Sequence, residues 1–374
     1  MSEVRVNNLS NENSSGGPTI SGITTFSGTS YIVPPSGDTA SRPQSCAGGS
    51  LRFNTDSAKL EYFRGDTIGW VEFDAYKSMD TTGRHLLNGG NNGSNDINVI
   101  QHIQTATLGN YVDFGDMIRA QRHASALASN VRGIFAGGYK TGSGESNVIE
   151  SVTIAAVGNS IDFGDMLAKT NDWSFGALSN QTRGLLAGDA NQTNVIEFVT
   201  ISTTGNAQNF GDLVAGARDP VGLSSPIRGI YFGGAPANNN EIQYIHIATT
   251  GNAIDFGDLG FSSGGATYNK PSGSNGIRGL MGPGGGINAI QKITISTLGN
   301  SQDFGESSTY DGSNTSTSGS SDKLRMFIGG GQDPAILNTV EYVTIATDGN
   351  AIDFGDTATS HSGSGSCCNA HGGL

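Results

Sequence analysis

Gly349-Asn350-Ala351-Ile352-Asp353-Phe354-Gly355-Asp356 is the last of six near-copies of one phrase. The Gly-Asn pairs stand at Gly109-Asn110, Gly158-Asn159, Gly205-Asn206, Gly251-Asn252, Gly299-Asn300 and Gly349-Asn350, so the successive steps are 49, 47, 46, 48 and 50 residues. A period in the forties points to a propeller or a solenoid, because a unit of that size cannot bury its apolar face alone and needs neighbours to cover it.

Outward from the phrase, the rest of each unit repeats as well. The second copy runs from Arg132-Gly133 through Ile134, Phe135 and Ala136 to Gly137-Gly138, then a polar loop, then Ile149, Glu150, Val152, Thr153 and Ile154, then the turn and Ile161 to Met166. Arg84, Arg183, Arg228, Arg278 and Arg325 open the other copies. Val152 and Ile154 alternate with Thr153, Ile161 and Phe163 alternate with Asp162, and glycine punctuates every join, which is the period of strands and not of helices. Gly-Asn is expected to make a tight connection, since both residues tolerate positive φ. With a further strand in stretches such as His123 to Ser129, each unit holds four. The fold class is therefore all-β, and four antiparallel strands at this period describe the blade of a six-bladed β-propeller. The Gly-Gly closing the second strand resembles the kelch repeat. Phe114, Phe163, Phe210, Phe256, Phe304 and Phe354 take the aromatic slot where kelch blades usually carry Trp, so the resemblance is to a kelch-like propeller.

No convincing first strand for the first blade precedes Arg84, and the far end of the chain offers one. Thr357 to Gly373 aligns in position with Arg122 to Gly133, so the tail is predicted to complete the first blade and leave no open sheet edge. Cys367 and Cys368 would then be small packing residues on an inner strand. Ahead of the repeats, Leu51 to Asn54, Lys59 to Arg64 and Gly69 to Val71 read as three short strands of a β-meander, with turns at Asn54-Thr55-Asp56 and Arg64-Gly65-Asp66. Residues 1–38 carry scattered single apolar residues, too few for a core of their own. The expected division is an extended N-terminal attachment or oligomerisation segment at 1–38, the meander at 39–77 and the propeller at 78–374.

Composition narrows the function. Gly is 57 of 374 residues, about twice the usual share, and a formal net charge of −13 argues against nucleic acid or an anionic membrane as partner. Neither a signal peptide nor a membrane-length apolar run is visible. The three cysteines, Cys46, Cys367 and Cys368, make no disulfide framework.

Little catalytic or metal chemistry is legible. Asp-Phe-Gly echoes the kinase magnesium motif, but six tandem copies lack a Gly-rich loop and a catalytic-loop Asp. Pairs such as Asp162 with Asp165 and Asp353 with Asp356 could hold calcium in principle, yet they fit strand-end turns better. Arg64-Gly65-Asp66 is ordinary hairpin chemistry. The six histidines have no ligand spacing. No catalytic residue, metal site or cofactor is expected, and no enzyme. Arg132, Arg183, Arg228, Arg278 and Arg325 recur at every unit, as do Phe163, Phe210, Phe256, Phe304 and Phe354. So do Glu150, Glu197 and Glu341. A catalytic group is needed once and a contact between units at every unit, so these are predicted to be structural, joined by ion pairs or hydrogen bonds between strands.

In an up-and-down blade the loops after strands two and four share one face, and the Gly-Asn turns lie on the other. The insertions that differ between units, at 139–146, 189–193, 235–239, 261–275, 307–322 and 332–338, fall on the first face. Variable loops on a rigid scaffold present a binding surface. Tyr139, Lys140, Tyr268, Lys270, Tyr310 and Gln332 are the candidate receptor contacts, with aromatic and amide groups suited to glycan.

Gly49-Ser50-Leu51-Arg52-Phe53-Asn54-Thr55-Asp56, with Leu60-Glu61-Tyr62-Phe63 and Gly69-Trp70-Val71, resembles a short module near the start of bacteriophage tail-fibre and virion structural proteins. Val6-Asn7-Asn8-Leu9-Ser10 and Phe26-Ser27-Gly28-Thr29-Ser30-Tyr31-Ile32-Val33-Pro34-Pro35 are similar to marine, cyanophage-type virion proteins. The Thr-Gly-Asn-Ala and Asp-Phe-Gly-Asp repeats resemble that group too. The resemblance implies a virion protein assembled in the host cytoplasm, a tail fibre or similar appendage that attaches to host-surface glycan or protein. Other virion proteins would be held through the N-terminal segment, in a homo-oligomer with a trimer favoured. A decoration protein without a receptor role and a propeller glycan depolymerase are the alternatives, although the sialidase Asp box is missing.

Overall fold

The computed structural model describes residues 33–73, 83–167, 175–189, 191–235, 240–260, 270–283, 287–310, 317–332 and 335–374. Among them every regular element is a strand. The chain divides into two compact units, Met1–Lys77 and Ser78–Leu374.

In the first unit, Leu51–Asn54, Lys59–Phe63 and Trp70–Glu72 form an antiparallel meander. A fourth strand of two residues, Ser36–Gly37, pairs in parallel with Phe53 and Asn54. It falls inside the segment expected to be extended, where two small residues give no alternation to detect. The interior of this small sheet is partly ionic. Glu61 is fully buried and takes Arg52 Nη1 at 2.9 Å on one oxygen and Arg42 Nη2 at 2.6 Å on the other. The Arg52 guanidinium lies 5.7 Å from the Trp70 ring centre. A carboxylate can be this buried only because two guanidinium groups meet it.

Among the described residues the second unit has one small two-stranded hairpin and six antiparallel sheets of three or four strands. Strands two, three and four of each come from one repeat, such as Arg132–Ala136, Val148–Thr153 and Ile161–Asp165 in the second sheet. Strand one comes from the segment before them: Ser125–Ala128, Gly176–Ser179, Val221–Ser224 and Ser272–Ser274 in sheets two to five. The sixth sheet has three full strands, and Ser318 and Ser321 bridge to Gly329 and Met326 in place of the first. In the first sheet the missing strand is supplied from 281 positions on. Gly365–Cys368 pairs with Arg84–Asn88, matching Gly365 to Asn88 and Cys368 to His85. The tail therefore takes the place read for it, and both cysteines are buried free thiols.

Apolar residues collect between sheets. Six clusters join the first sheet to the second, and so on to the fifth with the sixth, and the sixth with the first. Phe163, for example, packs with Val199, Ile201 and Ala207 of the third sheet, and Phe354 with Ile103 and Tyr111 of the first. All six phrase phenylalanines are buried.

The repeated phrase proves to be a contact between sheets, and here three expectations need correcting. Thr153 and Ile161 are joined by seven residues, not by a tight two-residue turn. The asparagines do not use left-handed backbone. Each side-chain oxygen instead accepts an N–H from the fourth strand of the preceding sheet, as Asn206 Oδ1 does from Asp165 N at 3.1 Å and Asn110 Oδ1 from Asp356 N at 3.0 Å. The backbone on either side joins in. Gly205 N donates to Phe163 O at 2.8 Å, Ala207 N to Asp165 O at 2.8 Å, and Gly109 N to Phe354 O at 3.2 Å. Third, Ile161 does not share the burial of Phe163: it is 63% exposed, against 3% for the ring. Strand four is the edge of its sheet, and only the longer aromatic side chain reaches the neighbouring core.

A bulge makes that reach possible. In every sheet the register slips one residue where strand three passes the Phe-Gly pair, as between Ile149 and Glu150. The glycine of the pair takes φ between 145° and 156°, which an L side chain rarely adopts.

Candidate functional site

The first strands of five sheets, and the bridging residues that stand in their place in the sixth, are short and rich in Ser, Gly and Ala where they converge. Ser125-Ala126-Leu127-Ala128, Ala177-Leu178-Ser179, Val221-Gly222-Leu223-Ser224, Ser272-Gly273-Ser274, Thr317 to Ser321 and Gly365-Ser366-Cys367-Cys368 line one cavity of about 130 Å³. They share no backbone ladder with each other. Serine hydroxyls link them instead: Ser179 Oγ donates to Ala128 O at 2.8 Å, Ser224 Oγ to Ser179 O at 2.7 Å and Ser321 Oγ to Ser274 O at 3.0 Å, with Ser274 Oγ bonded to Ser224 O between them. A hydroxyl beside a neighbour's carbonyl satisfies a group that would otherwise be buried without a donor.

The two ends of the cavity differ. Beyond the C-terminal ends of these strands lies the chain terminus. His371 Nε2 donates to Ala128 O at 2.8 Å, and Gly373 N donates to His371 Nδ1 at 3.0 Å. That pairing needs a neutral ring, and burial pushes the His371 pKa down to about 4. Gly372 and Gly373 cross so closely that a β-carbon on Gly373 would stand 2.1 Å from Ser179 O. At the other end, before the strands begin, the lining includes Ala124, Phe175, Asp219 and Lys270. These positions follow strand four of the preceding sheets, and of the four only Lys270 falls in an insertion read as variable, 261–275.

Of the five candidate contact residues that the structure describes, Lys270 alone lines this cavity. It is not an exposed loop residue: 7% of its surface is accessible, and burial lowers its pKa to about 8. Tyr310 is likewise misplaced on a surface by the sequence reading. It is fully buried between the fifth and sixth sheets, with its hydroxyl donating to Gly330 O at 2.6 Å. An aromatic in a polar stretch reads as displayed, but here it fills a gap between sheets and its hydroxyl closes an orphan carbonyl. Tyr139 and Lys140 pair with Glu145 and Gly144 in a two-stranded hairpin. Tyr139 lies under the Arg122 guanidinium, 4.8 Å from the ring centre, and Arg122 bonds to Asp96 at 3.1 Å. Gln332 is exposed and bridges to Ile336. Tyr268 lies outside the described residues. The Asp96 and Arg122 tether between loops of two sheets has no sequence signal, since its partners come from different repeats.

The recurring arginines and glutamates do not meet each other. Each arginine donates to a carbonyl of the next sheet: Arg132 to Ile201 O at 2.8 Å, Arg183 to Ile247 O at 2.9 Å, Arg228 to Ile295 O at 2.9 Å, Arg278 to Ile345 O at 3.1 Å and Arg325 to Ala106 O at 3.3 Å. Four of the guanidinium groups also sit over rings, Arg183 over Phe198 at 4.9 Å among them. The glutamates reach the opposite way. Glu150 accepts from Ile118 N at 3.0 Å, Glu197 from Leu167 N at 2.8 Å, and Gln101 from Ala358 N at 2.7 Å.

Burial makes one of these acids a pH sensor of stability. Glu197 is 3% exposed, and burial raises its pKa from 4.5 to about 7, although the Leu167 N–H favours the charged form. Between those values the folded chain holds a proton that the unfolded chain has released, so stability from this site falls as pH rises from 4.5 to about 7. Gln101, Gln243 and Gln291 occupy the equivalent position in other sheets. Glu197→Gln is therefore expected to stabilise the chain by up to ~3 kcal/mol at pH 8 and by much less at pH 4.5. Urea denaturation at the two pH values reads the difference.

Among the described residues no group of three His, Cys, Asp or Glu could hold a metal ion. No protein-family model matches the chain, and no curated protein matches it.

Proposed function

We propose that residues 78–374 close into a six-bladed, kelch-like β-propeller, and that the chain is a non-enzymatic virion appendage of a bacteriophage, tail-fibre-like, that attaches the particle to its host surface. Closure is supported by the hydrogen bonds and clusters that run from each sheet to the next and from the sixth to the first. One observation carries the adhesive reading. The polar groups that recur in every repeat are engaged between sheets, while Lys270 and Thr317, described residues of the variable insertions at 261–275 and 307–322, line the cavity, which suits a rigid scaffold presenting a variable surface. The phage assignment rests on the resemblance of the opening residues and of the repeats to cyanophage-type virion proteins. Residues 1–38 would hold other virion proteins and bring three copies together, so that weak contacts to host-surface glycan or protein add through shared attachment.

Purified full-length chain is expected to run as a trimer by light scattering and to bind saturably to intact host cells, with cyanobacteria the first to try. A monomeric mass without cell binding would remove the proposal. Normal incorporation into particles without cell binding would point to a decoration protein, and release of reducing sugar from cell polysaccharide to a depolymerase.

A further inference from the structure

The small sheet of the first unit carries polar groups inside and apolar groups outside. Alternation along Leu51–Asn54, Lys59–Phe63 and Trp70–Glu72 divides the residues between two faces. One face holds Arg52, Asn54 and Glu61, all buried, with Phe63 beside them. The other holds Leu51, Phe53, Leu60, Tyr62 and Val71, and Phe73 joins it where its N–H donates to Leu60 O at 2.7 Å. The register sets Leu51 beside Tyr62, Phe53 beside Leu60 and Tyr62 beside Val71, and the Tyr62 and Phe73 rings stand 4.9 Å apart. The six side chains therefore make one continuous patch. None of them is buried, and Leu51 and Phe73 are 50% and 45% exposed. Single apolar residues on a surface mean little, but a whole sheet face of them over an ionic interior marks a surface that meets another.

What covers the face follows from its chemistry and from the size of the unit. All six side chains are uncharged, and the Tyr62 hydroxyl is their one polar group. The face thus has nothing to pair with a charged partner and nothing that repels a copy of itself. An apolar sheet face packs against another such face about 10 Å away, with the side chains interdigitated, and every copy of the chain brings one. Size makes the same demand. Units below roughly 70–80 residues seldom hold together on one apolar core, and they add disulfides, a metal or association. The unit Met1–Lys77 has a single cysteine, Cys46, which is a free thiol, and among the described residues no group of metal ligands. Association is the device that remains. The chain also enters this sheet at its edge, where Ser36–Gly37 pairs with Phe53 and Asn54. The segment that the adhesive reading uses to gather copies therefore leads straight into it.

We infer that the face of Leu51, Phe53, Leu60, Tyr62, Val71 and Phe73 is where copies of this chain meet, forming between them an apolar core that no copy has alone. This rests on the adhesive reading and deepens it, extending the contact between copies from the first 38 residues into the sheet that follows them. A contact without charge is held by burial, so it does not weaken as salt screens charges. That separates it from the exposed Val131, Ile227, Ile277 and Leu324 of the second unit, each of which stands next to a repeat arginine. A contact made there would change with salt.

The test is analytical ultracentrifugation of the full-length chain across a concentration series, with hydroxyl-radical footprinting of the same samples. The chain is expected to assemble equally well at low and high salt. Oxidation of Leu51, Tyr62 and Phe73 should fall at least fivefold as the oligomer forms, while that of Ile277 stays unchanged. Leu51→Glu combined with Phe73→Glu, at two exposed positions, should weaken assembly at least a hundredfold, and Ile277→Glu should leave it as it is. Assembly with the face still fully oxidised would overturn the inference, as would assembly that high salt dissolves or that the double variant keeps. A monomer at every concentration would overturn it too, and a protected face in that monomer would mean that its own chain covers the patch. Footprinting uses the unaltered chain, so it decides even if the double variant misfolds. Cell binding by a chain that assembles through another surface would sink this inference and leave the adhesive reading standing; assembly through this face without cell binding would do the reverse.

Discussion

Replacing Gly211 by alanine should lower the stability of the chain by about 3–5 kcal/mol, with the midpoint of thermal unfolding falling by roughly 10 °C. Gly211 is the bulge glycine of the third sheet, with φ 156°. A β-carbon there would stand 2.3 Å from Gly251 O and 2.5 Å from Gly251 C, which are backbone atoms of the fourth sheet's connection. Backbone cannot swing aside as a flexible side chain can. Accommodating the methyl group means separating the Asp212 N to Asn252 Oδ1 and Gly251 N to Phe210 O bonds and opening the cluster that holds Phe210 and Tyr231. Gly205 is the control. It has nearly the same φ, 153°, and nothing within 4 Å of where its β-carbon would be. Gly205→Ala carries the conformational cost alone, about 1–3 kcal/mol. Parallel urea unfolding of the two variants separates conformational strain from the clash between sheets. Equal losses would mean that the sheets do not approach at this phrase.

Removing residues 365–374 should abolish cooperative folding of the second unit. The deletion takes away the strand paired with Arg84–Asn88 and the buried Cys367, Cys368 and Ala370. It also takes away the Asn369 Oδ1 that accepts from Arg84 N at 2.8 Å, and the His371 contact with Ala128 O at 2.8 Å in the second sheet. Leu86 and Leu87 would lose cover, and the edge of the Arg84–Asn88 strand would be open to pairing with other copies. Losses of this kind exceed the ~5–15 kcal/mol by which a domain is usually stable. The truncated chain is expected to aggregate and to lose near-ultraviolet circular dichroism, while deletion of Leu374 alone, which is only half-buried, should change little. A truncated chain that unfolds cooperatively within 1 kcal/mol of the full one would show that the tail strand is dispensable.

These two experiments address what was legible in the repeats and what was not. The period, the four strands of the other units and the strand borrowed from the tail follow from spacing and alternation, which chain sterics impose locally; the sixth unit departs, its described residues making only bridges at Ser318 and Ser321 where a first strand was expected. The function of the phrase was less visible. Gly and Asn were expected to shape a turn, and they instead clasp the fourth strand of the sheet before them, a partner some forty residues away. The same distance hides the roles of Arg132 and Glu197, whose recurrence marked them as structural without naming their acceptors and donors. Tyr310 and Lys270 show the limit most clearly. Both stand beside polar, Gly- and Ser-rich stretches that read as solvated loops, yet one is core and the other lines a cavity.

The amino-acid order by itself therefore determined the second, third and fourth strands of each unit and the strand lent by the tail, because period-two alternation and glycine punctuation act within a few residues. Only the tertiary structure decided which face of each strand is covered, and that a buried lysine and His371 line one cavity between the first strands. Those outcomes depend on groups brought together from six separate repeats, and no local rule constrains how such distant surfaces meet.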